Sequence, residues 1–132
     1  MNLTKASAAF CLVLGFSIVL IWLVLLIGGD GEVAASLSAT PIEMGTHIAV
    51  ELITAAVLIV VGFGLWAKKV WSRTWFFFGT GLLTYSVISA AGFYGQRGEY
   101  VPAGMFVGIL ALGVIFTFLA WKNPDFTEGE GF

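Results

Sequence analysis

Between Ala6 and Ile27 the chain carries no charged side chain at all. No other feature limits the fold so strongly. At 1.5 Å of rise per helical residue, such a run covers the ~30 Å hydrocarbon core of a bilayer, which takes about 20 residues. Three comparable stretches follow, so spans are expected at residues 6–27, 44–67, 75–94 and 101–121. The last two are also free of charge, and the second is interrupted only by His47 and Glu51. Apolar residues are continuous within each stretch, with none of the period-two alternation that a barrel strand needs. The reading is an all-α integral membrane protein: one domain over residues 1–132, built as a four-transmembrane-helix antiparallel bundle.

Composition agrees. Only 11% of the residues are charged, against about 25% in a soluble domain. Such a chain cannot cover a globular surface with polar groups. A net charge of −2 gives no basic footprint for nucleic acid, so the expected partners are the lipid bilayer and another membrane protein or a second copy. Cys11 is the single cysteine, which excludes an intrachain disulfide and a cysteine metal cage. His47 is the single histidine, so one chain cannot build a bis-histidine haem. No cofactor and no metal are expected.

The connections divide the spans. Gly28-Gly29-Asp30-Gly31 breaks the first helix and opens an outer loop over residues 28–43, with a short interfacial helix expected between Glu32 and Ser38. Thr40-Pro41-Ile42-Glu43 fits a capping box for the second span, with Thr40 as N-cap and Glu43 reaching back. Lys68 to Thr74 and Gly95 to Glu99 are short links, which force antiparallel neighbours. Residues 122–132 form a short tail. The first run exceeds the 7–15 apolar residues of a cleaved signal, so it is read as a retained helix.

Basic residues set the orientation. Lys5, Lys68, Lys69, Arg73 and Lys122 fall on one side and Arg97 alone on the other. This positive-inside bias puts both termini in the cytoplasm, in a plasma membrane protein. Trp66, Trp71, Trp75 and Trp121 gather at the same boundary, while Asp30, Glu32, Glu43 and Glu99 make the outer side acidic.

One polar stripe stands out. Glu43, His47 and Glu51 are spaced by four and Thr54 follows by three, which stacks them on one helical face. Glu51 lies ~15 Å along the helix from Pro41, inside the hydrocarbon boundary. A charge there costs ~2.5–3.5 kcal/mol or more and normally faces a bundle interior or a wet cavity. Among Thr80, Thr84, Tyr85, Ser86 and Ser89 on the third span, Tyr85 and Ser89 share a face and are the expected partners of a ligand or ion site. The plainer alternative is an i,i+4 pair that ties the bundle together through hydrogen bonds. Gly104 and Gly108 form a small-xxx-small pattern, expected to pack helices within the bundle, a dimer seam being the alternative.

With a long first loop and three closely linked helices after it, the layout resembles the small four-helix membrane proteins of the DoxX-like kind. The resemblance is one of topology and implies no activity. The leading expectation is a non-enzymatic structural or accessory subunit of a larger membrane assembly. A small transporter or proton/ion-conducting protein using His47 and Glu51 is the alternative. A membrane enzyme or redox subunit is a third class, for which a lone histidine is a poor cofactor ligand.

Overall fold

The computed structural model describes residues 2–28 and 31–123, except the side chain of Glu32; of the tail expected at residues 122–132, Lys122 still belongs to the last helix and residues 124–132 lie outside the described residues. Among the described residues five helices follow in order: α1 (Leu3–Gly28), α2 (Glu32–Ala39), α3 (Pro41–Trp66), α4 (Ser72–Gln96) and α5 (Tyr100–Lys122). No strand occurs among the described residues. The four long helices are each long and apolar enough to cross a membrane. Each begins before the apolar run that marks it, because flanking residues already continue the backbone ladder there, and α3 stops at Trp66, one residue short of its expected end. The short helix expected within the first loop forms as α2.

Helix α3 is the hub. It packs most extensively against α1, then against α4, while α5 packs mainly on α4 and touches α1 weakly. Small residues set the α1–α3 distance. A Cβ at Gly62 would lie 2.5 Å from Leu12 Cγ and 3.2 Å from the Ala8 carbonyl oxygen. A Cβ at Gly15 would lie 2.7 Å from Ile59 Cγ1 and 3.0 Å from the Ala55 carbonyl oxygen. These are backbone-to-backbone approaches that only glycine permits. The paired positions run in opposite senses along the two helices, with Leu12 against Gly62, Gly15 against Ile59 and Trp22 against His47.

Gly104 and Gly108 do not play that part. A Cβ at either would meet nothing within 4 Å, so the expected crossing there is corrected: their face of α5 is open. The close crossing falls on α1 and α3 because Ala8, Cys11 and Gly15 are all buried there opposite Ala55 and Gly62. The core is completed by Leu58, Val61, Leu65, Phe76, Leu83, Val87 and Ala120. Near the basic end, α1 meets α5 through Phe10 and Phe116, whose ring centroids are 4.8 Å apart.

Two helix ends use one device. The Lys69 N–H donates to the Gly64 carbonyl and the Lys68 N–H to that of Leu65, which closes α3 in a Schellman motif. Glu99 and Gly98 repeat it at the end of α4, on Tyr94 and Gly95. The motif needs a left-handed residue. Gly98 supplies it at φ 76°, whereas at α3 a lysine, Lys68, is held at φ 56°.

Thr40 is the N-cap of α3 and Pro41 its first helical residue, but the capping box does not form. The Thr40 hydroxyl donates backward to the Ser36 carbonyl instead. Helix α2 ends immediately before α3 begins, so its last carbonyls compete for the hydroxyl and win it. Glu43 remains an exposed acidic residue in the first turn of α3, favourably placed against the helix dipole.

Candidate functional site

The stripe on α3 is real as a face, but its members diverge. Glu43 is exposed, His47 and Glu51 are half-buried and Thr54 is buried. His47 turns toward α1, where its ring meets that of Trp22 edge-on at 5.9 Å between centroids. Glu51 turns toward α4, where its Oε1 accepts a hydrogen bond from the Ser86 hydroxyl. Thr54 donates to the Val50 carbonyl at 2.8 Å, one turn back on its own helix. Its hydroxyl proton is therefore committed to α3 itself.

The same self-satisfaction disposes of most hydroxyls nearby. Thr80 donates to Phe77, Thr84 to Thr80 and Thr117 to Gly113, each on its own helix. Of the hydroxyls considered, Ser86 is the one that reaches another helix. A hydroxyl facing a carboxylate in an apolar setting satisfies a group that would otherwise carry the cost of lost hydration.

Tyr85 and Ser89, the expected partners on α4, point elsewhere. Tyr85 is 66% exposed and Ser89 is also exposed, so the grouping of His47, Glu51, Thr54, Tyr85 and Ser89 is not assembled. Ser86 takes the place assigned to them. The buried stripe of α4 runs through Phe76, Gly79, Thr80, Leu83, Ser86 and Val87. The apolar spacing of Phe76, Leu83 and Val87 was the sequence signal that could have selected Ser86. It was masked because α4 is apolar on nearly every side.

Two further residues carry buried polar atoms, Ser7, which the sequence did not single out, and Arg73, which it marked only for orientation. Ser7 is fully buried on α1, and its hydroxyl has no hydrogen-bond partner. Arg73, in the first turn of α4, has its Nε buried and likewise unpartnered. Among the described residues, two grooves lie elsewhere on the helix surfaces. One, of about 490 Å³, runs between α4 and α5; the other, of about 420 Å³, runs between α3 and the start of α4. Neither is lined by His47 or Glu51. Among the described residues no three His, Cys, Asp or Glu side chains come together as a metal site.

The chain belongs to the family described as a domain of unknown function, DUF8058, whose model matches residues 1–128. No curated protein and no solved structure matches it.

Proposed function

We propose that this protein is a non-enzymatic accessory component of a larger membrane assembly, inserted in the plasma membrane as a four-helix antiparallel bundle with both termini cytoplasmic. The observation that carries the accessory role is the state of α5. Of its residues only Gly113 and Ala120 are buried, and the face bearing Gly104 and Gly108 is open. A helix held on one side, with bare glycines on the other, offers a neighbouring transmembrane helix a close approach. Insertion is supported by the four apolar helices. The orientation rests on Lys5, Lys68, Lys69, Arg73 and Lys122 at one end of the bundle, against Arg97 at the other.

The alternative, passage of protons or cations past His47 and Glu51, asks these side chains to share a route. They face different helices, His47 meeting Trp22 and Glu51 meeting Ser86. Both contacts suit a structural joint better than a relay.

A photo-crosslinking residue at Gly108 tests the proposal in native membranes. It should capture a discrete membrane partner that the same residue at Ile88, exposed on α4, does not. Equal capture at both sites would overturn the accessory reading. So would vesicles of the pure protein showing a pH-driven ion flux that Glu51→Gln abolishes.

A further inference from the structure

Two aromatic walls of the groove between α4 and α5, Phe77 and Phe118, each carry a cation, Arg73 and Lys122, and we propose that the groove binds one anionic phospholipid from the leaflet at the basic end of the bundle. Its walls include Phe77, Gly81 and Thr84 on α4, with Val114, Phe118 and Trp121 on α5. The hydroxyls of Thr80, Thr84 and Thr117 along it are spent on their own helices, so the groove presents methyl groups and rings. Gly81 leaves it bare, since a Cβ there would meet nothing within 4 Å. At about 490 Å³ it falls within the ordinary range of ligand clefts.

The mouth has the opposite character. The Arg73 guanidinium lies 5.3 Å from the Phe77 ring centroid, and Lys122 Nζ lies 5.6 Å from that of Phe118. The two aromatic walls of one groove thus each carry a cation at the same end. Arg73 Nε is also buried without a hydrogen-bond partner. The planar fork of a guanidinium fits a phosphate. Trp121 at the same level is the residue type that settles among headgroups.

Charge complementarity selects the occupant. Two cations above an apolar trough match a molecule with an anionic head and an acyl tail. A second copy of the chain, packed in parallel, would bring Glu43 and Glu99 only to the far end of the bundle. A zwitterionic lipid offers the tail but no net charge.

The test uses the full chain in mild detergent, with phosphatidylglycerol and phosphatidylcholine of identical acyl chains, read by native mass spectrometry. One phosphatidylglycerol should be retained per protein in preference to phosphatidylcholine. Replacing both cations, Arg73→Gln with Lys122→Gln, should reduce that preference about tenfold, the scale of a lost charge-assisted contact. Gly81→Leu should fill the trough and reduce retention of both lipids, with helicity by circular dichroism unchanged. Equal retention of the two lipids by the wild type, or an unaltered preference in the double variant, would overturn the proposal. Full displacement of the lipid by millimolar inorganic phosphate, or a dimer that Gly81→Leu converts to a monomer, would overturn it as well.

Discussion

The Ser86 hydroxyl donates to the Glu51 carboxylate across the α3–α4 interface. It joins two positions far apart in sequence and ties α3 to α4 by a side-chain hydrogen bond. Interhelical hydrogen bonds in membrane proteins average ~0.6 kcal/mol and reach ~1.7 kcal/mol. A double-mutant cycle of Glu51→Leu and Ser86→Ala, each of which removes the contact, read by unfolding in detergent, should give a coupling energy in that range. Glu51→Gln alone should be tolerated, because an amide oxygen can still accept from Ser86. A coupling energy of zero would mean that the contact does not hold the helices together.

Glycines should differ sharply by position. Gly62→Leu and Gly15→Leu force α1 away from α3 and should each cost ~1–3 kcal/mol or more. Gly108→Leu projects into open space and should leave the thermal midpoint of the isolated protein unchanged. Equal losses at Gly62 and Gly108 would contradict the packing described.

The matched ends of α3 and α4 predict opposite outcomes for one kind of exchange. Lys68 holds a left-handed conformation that costs an L-residue roughly 1–2 kcal/mol. After the greater freedom of glycine in the unfolded chain is subtracted, Lys68→Gly should stabilise by about 0.5–1 kcal/mol. Gly98→Ala imposes the strain that Lys68 already bears and should destabilise by about 1–2 kcal/mol. Chemical unfolding of the two variants checks both signs.

Orientation is decided by labelling. In a Cys11→Ala background, Val70→Cys and Glu99→Cys place single thiols on exposed residues of the two opposite ends. A membrane-impermeant maleimide applied to intact cells should modify the thiol at 99 and spare the one at 70. The reverse pattern would invert the topology proposed here.

Much of this architecture is written in one dimension. Apolar length without charge marks the four long helices, since no other property of the chain sets how far a helix must run. Gly98 and the polar run around it mark the second turn, because a left-handed residue is a local requirement. The inward turn of Glu51 follows from the cost of a charge among apolar groups, and its position on the stripe could be counted off by fours.

What the sequence left open is which faces meet. When a helix is apolar all round, its period no longer tells inside from outside, so Ser86 could not be chosen over Tyr85 and Ser89. For the same reason Gly104 and Gly108 looked like a crossing, while the crossing formed at Gly15 and Gly62. A small residue brings helices together only where the opposing helix fills the notch it leaves, as Leu12 does at Gly62 and Ile59 at Gly15. The Thr40 hydroxyl went to Ser36 because α2 ended beside it, and Phe77 and Phe118, with Arg73 and Lys122 over them, came to line one groove because α4 and α5 lie side by side. Each of these depends on which surfaces are opposed, and that is decided by the packing of whole helices.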